Sequence, residues 1–244
     1  MRCRGVFVRT LNGRLVETSY GYTVKLLLTS AGIKNESIRA SLIDLLGKPI
    51  ADSSALVIPT ATYAFSGGAQ SAWKIISGRA ASPLCELGWK SVGVLELTAL
   101  PSIDPEDWIP MVERTDVLLV GGGDPHYLCY WMRQSGLAEH FPILREMVYV
   151  GVSAGSLVMG PCVGGDFVSR SPLAQGDKTL GVVQFAMFPH LDNEAMPEHS
   201  MTRAEKWAEG IKVPGYAIDD ETAIKVVDDS VQIISEGQWR YFSS

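Results

Sequence analysis

Five short apolar runs in the first two thirds of the chain constrain its fold more than any other feature. The runs are VKLLLTS, ALVIPTA, SVGVLEL, DVLLVGGG and VYVGVS. Each is largely apolar throughout, which is typical of strands in a parallel sheet that helices cover on both faces. Helical segments separate them, such as 38–46, 70–76 and a segment that Asp104 caps with Pro105 at its first position. This alternation predicts an α/β fold with a doubly wound, mostly parallel sheet.

Both ends of the chain depart from that pattern. At the start, VFVRT and RLVET flank LNG, so we expect a hairpin with a tight turn at Asn12 and Gly13, and we treat residues 1–23 as an N-terminal hairpin extension. At the end, TAIKVVDD, SVQIISEG and QWRYFSS are short runs separated by turn residues, and they predict an antiparallel meander. Because no interdomain linker or internal repeat lies between, residues 1–244 are interpreted as a single domain.

Composition narrows the classes of partner. The chain is 46% hydrophobic, an ordinary globular value, and its net charge of -6 comes without a basic cluster. This argues against nucleic acid or an anionic membrane surface as a partner. The four cysteines are scattered without a C-x-x-C pair, which argues against a zinc site. No apolar stretch reaches about 18 residues and the N-terminus does not read as a signal peptide, so we expect a reduced, cytoplasmic protein.

The segment GVSAGS, residues 151–156, follows the fifth run and fits the pattern G-x-S-x-G. Two glycines at such a strand end let strand and helix approach closely and force Ser153 outward, often in a strained conformation. A helix that starts near Ala154 turns free N–H groups toward the same spot. Ser153 is therefore the predicted nucleophile, and the alternative is a glycine-rich turn with an incidental serine.

A serine nucleophile needs a base, and the base is usually oriented by an acid. Of the four histidines, His190 ends the apolar run VVQFAMF after Pro189, where it can face a site beside that strand. We predict His190 as the base. The residues alone leave the acid open among Asp166, Asp177, Asp192 and Glu194.

Three glycines follow the fourth run in VGGGDP. The loop lacks both the G-x-G-x-x-G spacing and the G-K-[ST] ending of phosphate-binding loops. We expect Gly122 and Gly123 instead to present backbone N–H groups beside Ser153 as one side of an oxyanion hole. A plain tight turn is the alternative.

Five segments together resemble the peptidase E family of serine peptidases, which includes aspartyl dipeptidases and, more distantly, cyanophycinases. They are LLLTSAG, VLLVGGGDPHYL, GVSAGSLVMGP, LGVVQFAMFPHLDN and AIDDETAI, and they cover the chain from about Val24 to Val227. The resemblance implies a fold like that of class I glutamine amidotransferases, with Ser153 as nucleophile and His190 as base. It also implies an oxyanion hole from the N–H groups of Gly123 and Ala154, a small peptide as substrate, and neither cofactor nor metal.

Three positions depart from the pattern of that family. The glycine loop continues with Asp124 where the family usually has asparagine, which places a charge near the substrate. The family's acid falls on Val168 in an ungapped match, so the nearest acid, Asp166, is carried over as the triad acid. Arg203 stands near the place of a basic residue that holds the acidic side chain of the substrate in aspartyl-specific members. Asp124 and Arg203 are therefore the predicted substrate-binding residues.

These observations predict a serine peptidase that hydrolyses small peptides through an acyl-enzyme on Ser153. A dipeptidase acting on N-terminal aspartyl peptides is the substrate class that the resemblance implies. Two alternatives stay open: an esterase of the α/β-hydrolase fold, which also uses G-x-S-x-G, and a catalytically weak binding or regulatory module. We expect a monomer or a homodimer.

Overall fold

The computed structural model describes residues 25–141, 147–167 and 176–243, together with the backbone of two short strands near the N-terminus. The strands in chain order are β1 (Phe7–Arg9), β2 (Leu15–Glu17), β3 (Lys25–Thr29), β4 (Ser54–Ile58), β5 (Ser91–Val94), β6 (Val117–Val120), β7 (Val148–Val152), β8 (Ala186–Phe188), β9 (Gly215–Ile218), β10 (Thr222–Val227), β11 (Ser230–Ser235) and β12 (Trp239–Phe242). The helices are α1 (Glu36–Leu46), α2 (Gly68–Ile76), α3 (Pro105–Glu113), α4 (Pro125–Gln134), α5 (Leu137–His140), α6 (Ala154–Leu157) and α7 (Met201–Gly210).

The central sheet has seven strands in the order β11-β10-β3-β7-β6-β4-β5. The strands from β3 to β5 in that order are all parallel, whereas β10 pairs antiparallel with both β3 and β11. The predicted α/β fold with a mostly parallel sheet is therefore confirmed. No helix in the described ranges is long and apolar enough to cross a membrane.

Two apolar clusters cover the two faces of this sheet. Consecutive residues of a strand point to opposite faces, so neighbours in β6 join different clusters. Leu118 belongs to a cluster that contains Trp108 of α3 and Leu128 of α4, while Leu119 belongs to one that contains Ile38 of α1. The uninterrupted apolar runs thus arise because both faces of the inner strands are buried under helices.

Helix ends follow the cap signals in the sequence. The Asp104 carboxylate accepts a hydrogen bond from the N–H of Glu106 at 3.0 Å, which confirms Asp104 as the N-cap of α3. Helix α1 begins after Asn35, whose side chain accepts from the N–H of Ile38, and it ends at Gly47 with φ 67°. Glycine is favoured there because it adopts that left-handed conformation without steric cost.

A second, three-stranded sheet has the order β12-β9-β8, with β8 parallel and β12 antiparallel to β9. The prediction of one C-terminal meander is therefore wrong in part. Strands β10 and β11 do pair as a hairpin, but β12 leaves them and joins β9. The Phe242 ring of β12 packs edge-on against Trp207, which lies in the apolar cluster under the second sheet, and this contact favours the observed path.

The predicted N-terminal hairpin is present as an antiparallel pair, with Val8 opposite Val16. Its predicted turn at Asn12 and Gly13 lies outside the described residues.

The middle of the central sheet should tolerate truncation far less than its edge. Leu119 is fully buried in β6, whereas Val94 is 44% exposed on the edge strand β5. We expect Leu119→Ala to lower the free energy of unfolding by about 2–5 kcal/mol because it leaves a cavity. Val94→Ala should cost less than about 1 kcal/mol. Urea unfolding measures both, and equal losses would contradict the assignment of β5 to an exposed edge.

Candidate active site

The backbone turns sharply at Ser153, where strand β7 ends and helix α6 begins. Ser153 has φ 49° and ψ -112°, a conformation that is strained for a residue with a side chain. Three backbone hydrogen bonds hold it. Its N–H donates to the carbonyl of Thr29 at 3.0 Å, and its own carbonyl accepts from the N–H groups of Ser156 at 2.8 Å and Leu157 at 2.9 Å. The strain is therefore maintained by the neighbouring strand and by the first turn of the helix.

The two glycines around Ser153 are required by close packing. A Cβ atom on Gly155 would lie 2.3 Å from the carbonyl oxygen of Val120, and one on Gly151 would lie 2.6 Å from the carbonyl oxygen of Gly155. Both distances are far shorter than any van der Waals contact. The spacing G-x-S-x-G is thus what lets α6 pack directly on the ends of β6 and β7.

Side-chain hydroxyls fasten the short helix α6 to the sheet. The Ser156 hydroxyl accepts from the N–H of Thr29 at 2.9 Å and donates to its carbonyl at 2.8 Å. The Tyr149 hydroxyl donates to the carbonyl of Gly155 at 2.6 Å. Complete burial raises the pKa of Tyr149 well above its ordinary value, so this hydroxyl stays a donor.

His190 enters the same region from the second sheet, just after β8. Its side chain is 12% exposed, and its backbone has φ 57°. The N–H of His190 donates to the hydroxyl of Ser30 at 3.1 Å, and that hydroxyl donates to the carbonyl of Ile218 at 3.0 Å. Ser30 follows β3, so one hydroxyl joins the ends of strands from both sheets.

The partner of the His190 ring is Asp220, which follows β9. Nδ1 of His190 lies 2.7 Å from Oδ1 of Asp220, and Asn193 donates to the other carboxylate oxygen at 2.7 Å. A carboxylate can only accept, so Nδ1 carries a proton, and Nε2 is an acceptor whenever the ring is neutral. The hydrogen bond from His190 holds the pKa of Asp220 below its ordinary value against partial burial, with help from Asn193 and the charge of Lys34.

Ser153 and His190 line one cavity of about 330 Å³. No hydrogen bond of the described residues joins the Ser153 hydroxyl directly to the His190 ring. Such bonds are often long before substrate binds, and the shared cavity wall places both groups where a substrate carbonyl can enter. Within the described ranges, His, Cys, Asp and Glu side chains form no group of three or more that could hold a metal ion.

The glycine loop after β6 forms the neighbouring wall. A Cβ on Gly122 would lie 3.3 Å from Cβ of Ser153, and one on Gly123, with φ 142°, would lie 2.3 Å from the carbonyl of Ala61. In the part of the chain that the structure describes, the hydrogen bonds leave the N–H groups of Gly122, Gly123 and Ala154 without an acceptor. These are the donors that the sequence predicted for an oxyanion hole.

Asp124, a predicted substrate-binding residue, faces helix α4. Its carboxylate is buried and accepts from the N–H groups of His126 at 2.9 Å and Tyr127 at 2.8 Å. It is the N-cap of α4, and it does not line the Ser153 cavity.

Asp166 and Arg203, predicted as the triad acid and a substrate-binding residue, pair with each other. Arg203 Nη2 lies 3.1 Å from Oδ1 of Asp166, and neither residue lines the Ser153 cavity. The structure therefore does not bring Asp166 to His190. Asp166 lies in the short helical turn Gly165–Phe167, which packs beside α7. Asp192 accepts from the N–H of Met201 at 2.9 Å instead, and Val168 lies outside the described residues.

Reasoning from the sequence missed Asp220, although the segment AIDDETAI contains it. Strands β8 and β9 are parallel, with Phe188 opposite Ala217, so the residues after them emerge side by side. His190 and Asp220 are 30 positions apart in the chain. The sequence does contain a signal, since Asp219 and Asp220 follow the apolar residues of β9. Only the pairing of β8 with β9 shows that Asp220 lies next to His190.

Comparison with known proteins identifies the family of the chain. The model of Peptidase family S51 matches residues 26–234. A peptidase E of Nostoc sp. is 25% identical over 134 residues, which cover 51% of this chain and 54% of that protein. A cyanophycinase of Geminocystis herdmanii is 26% identical over 172 residues, which cover 67% of this chain and 62% of that protein. The chain thus spans little more than half the length of the curated relatives it matches.

Solved structures share the fold. A peptidase from an acI-B1 Actinobacterium aligns with a TM-score of 0.58 and 20% identity, covering 92% of this chain and 96% of that one. A peptidase E candidate from Listeria monocytogenes EGD-e aligns with a TM-score of 0.62 and 18% identity, covering 88% of this chain and all of the other. Because the family model matches most of its length, the chain belongs to peptidase family S51.

Proposed function

We propose that this chain is a serine peptidase that hydrolyses small peptides through an acyl-enzyme on Ser153. The observation that carries the proposal is the meeting of a strained serine and a carboxylate-supported histidine at one cavity, beside backbone N–H groups with no acceptor. Membership of a peptidase family and relatives named peptidase E support peptides as the substrate class.

In the first half-reaction, Nε2 of His190 takes the proton of the Ser153 hydroxyl while Oγ attacks the scissile carbonyl carbon. The carbonyl oxygen becomes negative and accepts hydrogen bonds from the N–H groups of Gly123 and Ala154, with Gly122 adjacent. Asp220 keeps the proton of the neutral ring on Nδ1 and stabilises the imidazolium that forms.

The imidazolium then protonates the leaving amine, and the C–N bond breaks to give the acyl-enzyme and the first product. In the second half-reaction, His190 takes a proton from water, and the resulting hydroxide attacks the ester carbonyl. Collapse of that intermediate returns the proton to Oγ of Ser153 and releases the acid product. Each proton therefore moves between named atoms of serine, histidine, substrate and water.

The order of strands and helices after Ser153 does not support the esterase alternative. In α/β-hydrolases the histidine follows several further strand–helix units after the serine, whereas here His190 follows β8 of a separate small sheet. The family model also matches peptidases. A binding module on the same scaffold would differ from the peptidase in having an unreactive Ser153.

Ser153→Ala should abolish hydrolysis of a dipeptide panel, with a loss of about 10⁴-fold or more in kcat, because the nucleophile is gone. Ser77→Ala is a matched control, since Ser77 is an exposed serine at the end of α2. A fluorophosphonate probe should label the wild type and not Ser153→Ala. Unchanged turnover in Ser153→Ala would contradict the assignment, and a folded wild type that neither reacts with the probe nor turns over would favour a binding module.

Asp220→Asn and Asp166→Asn form a matched pair that tests which acid supports the histidine. Asp220→Asn should lower kcat by about 10⁴-fold because it removes the acceptor that fixes the ring tautomer. Asp166→Asn should change kcat only a few-fold, since Asp166 contacts Arg203 and not His190. Steady-state kinetics on the same dipeptides measure both, and the reverse order would return the role to Asp166.

The pH dependence of stability should report the same contact. The pKa of Asp220 is lowered from its ordinary value of 3.8 in the folded protein, so ionised Asp220 stabilises the fold above that value. The contribution disappears as pH falls through the lowered pKa. The difference in unfolding free energy between wild type and Asp220→Asn should therefore shrink from about pH 5 to about pH 3 in urea titrations. A difference that stays constant over this range would show that Asp220 ionisation does not support the fold.

A further inference from the structure

The cavity at Ser153 has one wall made by helix α2 and the loop that follows it. Ser71, Lys74 and Ile75 of α2 line it together with Ser82, and His190 and Met196 line it as well. Among the described residues that line the cavity there is no Asp or Glu, and Lys74 is the only Lys or Arg. A cation therefore faces a cavity that holds no partner for it.

Lys74 is available to an external anion. The ion pairs recorded within the described ranges use other cations, including Lys48 with Asp116 and Lys225 with Asp44, but none uses Lys74. Arg203, the cation predicted from the sequence to bind substrate, pairs with Asp166 away from this cavity. Lys74, and not the predicted Arg203, is therefore the cation that lines the same cavity as Ser153 and His190.

The rest of the cavity fits a short peptide. Its volume of about 330 Å³ is at the small end of ligand pockets, and its walls combine apolar side chains with the hydroxyls of Ser71 and Ser82. The anionic groups of a small peptide are its C-terminal carboxylate and any acidic side chain. An ammonium donates charge-assisted hydrogen bonds to a carboxylate, and flanking hydroxyls can add further donors.

We propose that Lys74 binds a carboxylate of the peptide substrate in the Ser153 cavity and so determines which peptides are cleaved. The inference rests on the proposed peptidase function. A purely structural role predicts something different: Lys74 lies in the last turn of α2, where a cation stabilises the helix dipole, and that effect does not depend on the substrate.

Four dipeptides separate the two sources of the carboxylate: Asp-Leu, Asn-Leu and the C-terminal amide of each. They are assayed with wild type, Lys74→Met and Lys74→Arg. Lys206→Met is the control, because Lys206 is an exposed helical lysine that does not line the cavity. We expect Lys74→Met to lower kcat/KM by about 10- to 100-fold, mainly through KM, for peptides that carry the bound carboxylate. Lys74→Arg should recover most of the loss, and Lys206→Met should match wild type.

The pattern across the peptides identifies the group. A loss confined to the two free acids assigns the C-terminal carboxylate, and a loss confined to the two aspartyl peptides assigns the side chain. Equal effects of Lys74→Met on all four peptides, including none, would overturn the proposal.

Measuring peptide binding to a variant that lacks Ser153 tests the carboxylate site independently of the proposed hydrolysis. Calorimetry with the same four peptides is carried out on Ser153→Ala and on Ser153→Ala combined with Lys74→Met. If wild type hydrolyses none of the peptides but carboxylate binding still depends on Lys74, the proposed function fails while the carboxylate site stands. Absent binding, or equal affinity in both proteins, would overturn the site.

Discussion

The packing of Gly155 against the carbonyl oxygen of Val120 is the contact on which the site depends. A side chain at Gly155 would overlap that oxygen, so only glycine lets α6 lie directly on the end of β6. The approach goes with a strained turn at Ser153, two residues before Gly155, and helix α6 begins at the next residue, Ala154. Because β6 continues into Gly122 and Gly123, the same contact also places the glycine loop next to the serine.

A second constraint joins the two sheets. The Ser30 hydroxyl accepts from the N–H of His190 and donates to the carbonyl of Ile218, so it fixes the end of β8 and the end of β9 relative to β3. Parallel pairing of β8 with β9 then sets the ring of His190 and the carboxylate of Asp220 at hydrogen-bond distance. Ser153 follows a strand of one sheet, whereas His190 and Asp220 follow strands of the other, so the junction between the sheets sets how the three residues meet.

Features fixed by local chemistry could be predicted from the sequence, and features fixed by pairing across the chain could not. The apolar runs, the cap at Asp104 and the sharp turn at Ser153 each depend on a few neighbouring residues. Strand β9 is only four residues long, and β12 was assigned to the wrong sheet because its path depends on the packing of Phe242. Asp220 was missed for the same reason: its relation to His190 exists only once β8 and β9 lie together.

The hydrogen-bond partners of the charged side chains near the site indicate the role of each one, which their positions in the sequence did not. Asp124 accepts from two N–H groups at the start of α4, a role that asparagine fills about equally well, so this departure from the peptidase E pattern leaves the helix start intact. The positive end of the helix dipole also offsets its charge, which reduces its effect on a substrate. Asp166 and Arg203 satisfy each other. Asp220 is left to face the histidine, and Lys74 is left to face the cavity, so a cavity wall without a carboxylate is consistent with a substrate that supplies one.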